Sequence, residues 1–145
     1  MSTVSKVLKK KGSEVLAVPP DTLVFSAIEK MAEISAGTAL VMEDDQLVGL
    51  FSERDFIRKL YLEEKYGQGV KVSEIMSTTL TTVTPDEELE NCMATMTSKR
   101  IRHLPVCEEG KVVGIISIGD IVKHMVEEKN MEIKNLHSYI SGPGM

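Results

Sequence analysis

The sequence contains the same motif twice at a constant separation. Gly-Leu-Phe-Ser-Glu-Arg-Asp at 49–55 returns as Gly-Ile-Ile-Ser-Ile-Gly-Asp at 114–120, so the offset is 114 − 49 = 65 residues. Further pairs of identical residues keep this offset without a gap: Val18 and Val83, Pro20 and Pro85, Asp21 and Asp86, Met31 and Met96, Val41 and Val106. The chain is therefore a tandem repeat of one structural unit, which implies a duplicated site or a pseudo-symmetric cleft between the copies.

The size of the repeat indicates that the two copies fold together. The chain has 145 residues, of which 42% are hydrophobic and 27% charged, as in an ordinary globular domain. A copy of about 60 residues buries too little surface to be stable alone, so we expect the copies to pack on each other. By chain order, residues 1–66 form the first repeat with a lead-in segment and a connector, 67–130 form the second repeat, and 131–145 form a C-terminal tail.

Charge and hydropathy exclude several classes of partner. Seventeen Lys and Arg against 22 Asp and Glu give a net charge of −5, which opposes attraction to phosphate backbones, so we expect no nucleic acid partner. The sequence contains no run of about 18 apolar residues and no signal-peptide pattern, so it predicts no membrane association and a cytoplasmic location. We interpret the lysines at 9–11 as a solvated helix end rather than as part of a transit peptide.

Apolar residues at helical spacing predict one buried helix in each copy. The two stripes share the spacing i, i+3, i+4, i+7 and consist of Val24, Ala27, Ile28 and Met31 in the first copy and Leu89, Cys92, Met93 and Met96 in the second. In the second copy, Thr84 offers an N-cap and Pro85 suits the first helical position, so the helix is expected to begin there. Cys92 is interpreted as a small buried residue rather than a redox residue. The role of Cys107, at a strand end, is left open by the sequence.

A hairpin and a second helix follow the first helix of each copy. Alternating apolar segments predict strands at 38–42 and 47–52, and again at 102–107 and 111–117. Ser-x-x-Asp then begins the second helix of each copy as a capping box. With a short strand at Val18 or Val83, each unit is β-α-β-β-α. The expected fold class is α/β (α+β), with two pseudo-symmetric units packed through their sheets.

The order of elements and three motifs identify a resemblance to a known family. Gly-h-h-Ser-x-x-Asp, where h is apolar, ends each copy, Arg-His-Leu-Pro-Val occupies 102–106, and Asn-Leu-His-Ser-Tyr-Ile occupies 135–140. Together they resemble a tandem CBS-domain pair, the Bateman module. The resemblance covers nearly the whole chain and is closest to the stand-alone pairs of bacteria and plant organelles.

The resemblance implies binding of adenosine-containing ligands in clefts between the repeats, such as AMP, ADP, ATP, NAD or S-adenosylmethionine. In the family, the motif aspartate binds the ribose hydroxyls, the motif serine approaches phosphate, and backbone of the first strand and hairpin contacts adenine. The corresponding residues here are Asp55 and Asp120, Ser52 and Ser117, and, for adenine, Val18, Val83, Thr84 and Gly114. A carboxylate can accept two hydroxyl hydrogen bonds, and a helix N-terminus attracts phosphate.

Each of these assignments has a structural alternative. Ser-x-x-Asp caps many helices that bind nothing. A glycine before two apolar residues, as at Gly49 and Gly114, permits close backbone approach, but a tight strand crossing needs the same residue.

The two copies differ where phosphate is expected. Arg102 and His103 correspond to Gly37 and Thr38 in the first copy, so one hairpin has positive charge that the other lacks. The resemblance links this pair with the nucleotide whose ribose Asp55 holds. Arg54 is a further phosphate candidate or an exposed helix residue, and His103 is a ligand or a satisfied strand histidine. We expect no metal site, because no second His or Cys lies at ligand spacing.

Two classes of function remain open from the sequence. The preferred one is a regulatory module that senses an adenosine ligand and acts on an unknown regulated protein as a homodimer, with Val122, Met125 and Val126 as one candidate interface. The alternative is a ligand-free scaffold or a redox-linked interaction module. No paired nucleophile and base, metal set or P-loop is present, so neither an enzyme nor a required cofactor is expected.

Overall fold

Helices and strands are mixed along the computed structural model, which describes residues 2–62 and 69–141 and is 48% helical and 26% strand. The first half contains α1 (Val4–Lys11), β1 (Ala17–Val18), α2 (Val24–Glu33), β2 (Thr38–Glu43), β3 (Gln46–Ser52) and α3 (Glu53–Asp55), which continues as a π-helix (Phe56–Leu62). The second half contains α4 (Val72–Ile75), α5 (Leu89–Lys99), β4 (His103–Glu108), β5 (Lys111–Ser117) and α6 (Ile118–Ser141). The expected α+β class is confirmed. Most of the predicted connector, 63–68, lies outside the described residues.

The two hairpins are confirmed and are equivalent in detail. Strands β2 and β3 pair antiparallel, as do β4 and β5, and each pair has a bulge at the same repeat position, after Val41 and after Val106. Both turns have two residues with positive φ: 50° and 62° at 44–45, and 52° and 78° at 109–110. Such angles define the type I′ turn, whose twist matches that of a hairpin.

The first strand of the repeat is complete in only one copy. In the first copy β1 pairs parallel with β2, so the sheet has three strands. In the second copy the equivalent segment contributes a single parallel bridge between Val83 and Val106. Val83 accepts a hydrogen bond from Cys107 N–H at 2.8 Å and donates one to the Pro105 carbonyl at 3.0 Å. The predicted β-α-β-β-α order therefore holds, with the second copy reduced at its start.

The apolar stripes of α2 and α5 are buried as predicted, but α5 begins at Leu89 rather than directly after Thr84. A helix beginning at Pro85 would need a bond from Leu89 N–H to the Pro85 carbonyl. Instead, Leu89 N–H donates to Ser2 O at 3.1 Å, and Pro85 O accepts from Ser5 N–H at 2.8 Å. Pairing with the N-terminal segment thus delays the start of the helix.

The two lead-in segments occupy equivalent places in opposite repeats. Residues 2–5 bond to 85–89, and residues 70–73 make the same bonds to the first repeat: Val24 N–H to Val70 O at 2.9 Å, Val72 N–H to Thr22 O at 2.8 Å, and Ser73 N–H to Pro20 O at 3.1 Å. The buried side chains follow this arrangement. Val4 and Val7 pack in the core of the second repeat, whereas Val72 and Ile75 pack in the core of the first. Each core therefore contains side chains from both halves of the chain, whereas the division by chain order placed residues 1–66 in one unit.

Helix α6 is longer than its first-repeat counterpart and includes most of the expected tail. It extends from Ile118 to Ser141 without a break. Its first turns pack on the second core through Ile121 and Met125, whereas every residue from 129 to 140 is exposed.

Candidate nucleotide site at the paired capping boxes

Both Ser-x-x-Asp motifs form the predicted capping boxes. In the first repeat, Asp55 N–H donates to Ser52 Oγ at 3.1 Å, and Ser52 N–H donates to Asp55 Oδ2 at 3.0 Å. In the second repeat, the matching bonds between Ser117 and Asp120 are 3.1 and 2.9 Å long. Each box satisfies backbone donors that a helix start otherwise leaves free. The aspartates therefore have a structural role whether or not a ligand binds.

A row of four residues joins the two motifs across the sheets. Ser52 is the cross-strand partner of Thr38, and Ser117 is that of His103. Thr38 Oγ1 and His103 Nδ1 form a hydrogen bond of 3.0 Å between the repeats. The row runs Ser52, Thr38, His103, Ser117, so two cross-strand pairs and one hydrogen bond connect the motif serines. Because 103 − 38 = 65, the central pair lies on the pseudo-twofold axis.

The environment of Asp55 is closed by Lys59 of the same helix and by Ser77, which follows α4 in the second half of the chain. The Asp55 side chain is only 11% exposed, and Oδ1 lies 3.4 Å from Ser77 Oγ and 3.6 Å from Lys59 Nζ. Ser77 also pairs with Leu50 through two backbone hydrogen bonds of 2.9 and 3.0 Å, which cover the outer edge of β3. Asp55 is therefore the less exposed of the two motif aspartates, at 11% against 24% for Asp120.

Asp120 is more open and is paired with a lysine that the sequence interpretation treated as merely solvated. Its side chain is 24% exposed, and Lys11 Nζ lies 2.6 Å from Oδ2. Lys11 Nζ also donates to the Ile115 carbonyl at 2.9 Å. Both Lys11 and Ser117 bond to Oδ2, so Oδ1 has no hydrogen-bond partner among the described residues.

The charge of Lys11 is reflected in the acidity of its neighbours. Burial alone would raise the pKa of Asp120, but the hydrogen bonds from Lys11 and Ser117 and the lysine charge outweigh burial and lower it. Burial lowers the pKa of His103, Lys11 and Arg102 lower it further, and Asp120 opposes them. The charges of Lys11, Arg102 and Asp120 thus all act on His103.

The surroundings of the two aspartates differ because the strand edge beside Asp55 is covered by backbone and the one beside Asp120 by a side chain. Ile115 is the repeat equivalent of Leu50, since 115 − 50 = 65. Leu50 bonds to the backbone of Ser77, whereas the Ile115 carbonyl accepts from the Lys11 ammonium. A flexible lysine can move aside without breaking a backbone pairing, so Asp120 is the more accessible of the two aspartates.

The remaining basic candidates have separate positions. Arg102 is exposed, and its carbonyl accepts a 2.9 Å hydrogen bond from Ile118 N–H at the start of α6. Arg54 is exposed, and its Nη1 donates to the Arg100 carbonyl at 2.8 Å, which links the two repeats. The pairing of Arg102 and His103 with Asp55, implied by the resemblance, stays a prediction.

The residues expected to present backbone to adenine use their side chains elsewhere, and their role at adenine stays a prediction. The side chains of Val18 and Val83 are buried, and the Thr84 hydroxyl bonds to Asp86. A Cβ on Gly114 would lie 2.8 Å from Leu8 Cδ2, and one on Gly49 would lie 2.8 Å from Met76 Cγ. Both glycines thus admit a lead-in side chain, which favours the close-crossing alternative.

Two surface grooves are formed elsewhere, along α6. Their volumes are about 350 and 420 Å³, and both are lined by Glu128 and Met131. In residues 2–62 and 69–141, no group of three or more His, Cys, Asp and Glu side chains is placed to hold a metal ion. No helix in the same part of the chain is long and apolar enough to cross a membrane.

A family profile described as "CBS domain" matches this sequence twice, over residues 4–62 and over 72–127. Each matched segment contains one hairpin and one capping box. The chain belongs to the CBS-domain family. A curated relative, the mitochondrial CBS domain-containing protein CBSX3 of Arabidopsis thaliana, is 35% identical over 97% of this chain and 73% of its own length. The expected resemblance to stand-alone CBS pairs is confirmed.

Solved structures of CBS proteins have the same fold. The CBS domain protein NE2398 is 47% identical, with a TM-score of 0.83 over 87% of this chain and 99% of that chain. CBSX2 in complex with AMP is 25% identical, with a TM-score of 0.72 over 89% of this chain and 99% of that chain.

Proposed function

We propose that this protein is a regulatory CBS pair that senses an adenosine-containing ligand, and that the Asp120 cleft is its principal site. The observation that carries the proposal is the Asp120 carboxylate, which is held by the α6 cap, is partly exposed, and is paired with the Lys11 ammonium at 2.6 Å. A relative that is 25% identical is an AMP complex, which supports an adenine nucleotide as ligand.

The chemistry of the cleft suits a nucleoside with an attached anion. Asp120 Oδ1 is available to accept ribose hydroxyl hydrogens, and the α6 N-terminus favours negative charge. Lys11 is a cation that can pair with phosphate once it leaves Asp120. We also place Arg102 at the phosphate of this nucleotide, whereas the resemblance links Arg102 with the nucleotide whose ribose Asp55 holds. Titration with AMP, ADP, ATP, NAD and S-adenosylmethionine will identify the ligand.

The test is isothermal titration of nucleotide-stripped protein with each of these ligands. We expect Asp120→Ala to weaken binding by about 1.5–3 kcal/mol, the range for a hydrogen bond to a charged group. Asp55→Ala should have the smaller effect, because its cleft is closed by Ser77. Asp21→Ala, an exposed carboxylate outside the site, is the matched control. Equal binding by the wild type and Asp120→Ala would refute the principal site.

Arg102→Ala separates the phosphate from the nucleoside contribution. We expect it to weaken AMP and ATP much more than adenosine. An equal loss for adenosine would contradict the phosphate role of Arg102.

The output side of the sensor remains a proposal. We propose regulation rather than catalysis, with ligand binding passed to a regulated protein or to the packing of a homodimer. Val122 and Val126 are exposed, whereas Met125 is half-buried on the second core, so the first two are the better interface candidates.

A cytoplasmic location stays a prediction, because the relative CBSX3 is named mitochondrial. Cell fractionation tests it.

The redox-linked alternative has little support from the thiols. Burial and the charge of Glu87 raise the pKa of Cys92 to about 11, and burial raises the pKa of Cys107. A thiol attacks as its thiolate, so both are poorly reactive near neutral pH. A folded protein that binds none of the titrated ligands would instead favour the scaffold alternative.

A further inference from the structure

The two segments of the chain that contain arginine meet on the surface. Arg54 and Arg58 follow β3, and Arg100 and Arg102 follow α5, whereas the other 17 − 4 = 13 basic residues are lysines spread along the sequence. Arg54 Nη1 donates to the Arg100 carbonyl at 2.8 Å. This contact joins the two segments, although they belong to different repeats.

Four cations of these segments form what we call the basic patch: Arg54, Arg58, Lys99 and Arg100. All four are exposed. Arg58 follows Arg54 by about one helical turn, so both lie on the same side of their helix. Arg102 is not included, because we place it at the nucleotide phosphate.

The basic patch has no anionic partner within the described chain. Lys99 Nζ donates to the Thr81 hydroxyl at 3.1 Å and Arg54 donates to a carbonyl, and both acceptors are uncharged. None of the four cations forms an ion pair with a carboxylate of residues 2–62 and 69–141. Acidic side chains are in excess, since the net charge is −5. Like charges without a counter-charge repel one another, so the patch is suited to an anion from outside the chain.

Stabilisation of the end of α5 does not account for the patch. Cations are favourable at a helix C-terminus, and Lys99 ends α5. The end of α2 is an internal comparison, because Ser35 has a φ of 54° where the equivalent Arg100 has 56°. The positions equivalent to Lys99, Arg100 and Arg54 are uncharged: Ile34, Ser35 and Gly119. The same helix end therefore forms in the first repeat without these three cations.

We propose that the basic patch is the surface on which the regulated protein docks, and that the docking element of that partner is a short acidic segment. A guanidinium binds a carboxylate through two parallel hydrogen bonds, which suits arginine at three of the four positions. The net charge of −5 opposes the approach of nucleic acid or an anionic membrane, whose charge extends beyond the patch. A short acidic segment avoids most of this repulsion.

The patch is also placed to respond to a ligand. Arg54 belongs to the first repeat and lies between the two residues of its capping box, whereas Arg100 belongs to the second repeat. A change in the angle between the repeats would therefore change the spacing of the two guanidinium groups. The inference rests on the proposed function only in this regulatory role of the partner.

Fluorescence anisotropy of the nucleotide-stripped full chain tests the docking. The probe is a labelled peptide of alternating Glu and Gly, and the Gln-Gly peptide is its neutral control. We expect Arg54→Gln/Arg100→Gln to weaken binding of the Glu peptide by about fivefold or more, the effect of two exposed charge pairs. Lys111→Gln/Lys123→Gln removes the same charge from exposed lysines elsewhere and should keep the affinity. No binding by the wild type, or an equal loss in both variants, would overturn the proposal.

Arg100→Ser separates docking from a structural role, because it installs the residue that the first repeat has at the equivalent position. We expect weaker binding of the Glu peptide and an unchanged or higher free energy of unfolding in urea. A less stable variant with unchanged peptide affinity would make Arg100 a structural residue and overturn the proposal.

Two further probes test the choice of partner. Tighter binding of a uridine oligonucleotide or of phosphatidylserine vesicles than of the Glu peptide would overturn it. So would an Arg54→Gln/Arg100→Gln variant that loses AMP affinity but keeps peptide affinity, because the patch would then belong to the nucleotide. The peptide assay uses no nucleotide, so a failure of the proposed ligand site would leave its result intact.

Discussion

Thr38 Oγ1 lies 3.0 Å from His103 Nδ1, although the two residues occupy the same position in different repeats. Thr38 is buried, and His103 is half-buried beside it. Tandem copies related by a twofold axis bring equivalent residues together only at the axis. Their hydrogen bond therefore lies where the two repeats meet.

Thr38→Val should weaken the packing of the repeats. It removes the hydroxyl but keeps the shape, so we expect a loss of about 1 kcal/mol in the free energy of unfolding, typical of one net hydrogen bond. Urea denaturation measures it. Thr82→Val, at an exposed threonine, is the control and should change little. A loss no larger than that of the control would mean that the bond contributes nothing.

Lowering the pH should destabilise the fold through His103. Its pKa in the folded chain is below the usual 6.5, chiefly because of burial, so the unfolded chain takes up a proton first. This contribution to stability is complete above about pH 6.5 and is lost as the pH falls toward the folded pKa. Urea unfolding between pH 7.5 and pH 5 measures the slope, which should be smaller in His103→Gln. An unchanged slope in that variant would contradict the assignment.

Lys11→Met should strengthen the binding of adenosine. The ammonium bonds to Asp120 Oδ2, the carboxylate that we assign to the ribose, and must move before the diol can bind. A partly exposed ion pair contributes about 0.2–1 kcal/mol, so the gain should be about one and a half to fivefold in affinity. The gain for AMP should be smaller, because the displaced ammonium can pair with phosphate. Lys10→Met, at an exposed lysine bonded to Glu127, is the control. Weaker adenosine binding in Lys11→Met would make Lys11 a ligand contact rather than a competitor.

Gly114→Ala and Gly49→Ala should each destabilise the chain by about 1–3 kcal/mol, the usual cost of overpacking. The added methyl groups would overlap Leu8 and Met76, the last apolar side chains of the two lead-in segments. Gly69→Ala has open space and should be tolerated. A double-mutant cycle with Leu8→Ala tests the cause, because Gly114→Ala should cost less once Leu8 is shortened. Additive losses would mean that Leu8 is not the obstacle.

The local features of this protein could be predicted because their causes lie within a few residues. The caps at Ser52 and Ser117 and the helical stripes of α2 and α5 depend on side chains at most seven positions apart. The offset of 65 made the pseudo-symmetry visible as well. The resemblance of the chain to the CBS-domain family is confirmed by both matched segments.

Only the tertiary structure determined the contacts between residues that are distant in the chain. Lys11 bonds to Asp120, which lies 109 positions away in the chain. The sequence did not predict this contact, because a lysine at a helix end is ordinarily solvated. The lead-in segments occupy opposite repeats, and their backbone pairing moves the start of α5 to Leu89, against its local capping signals. Local propensity sets which segments form helices and strands, but the free energy of packing depends on which surfaces meet. That pairing brought Lys11 to one cleft and Ser77 to the other, and so made two nearly identical motifs unequal.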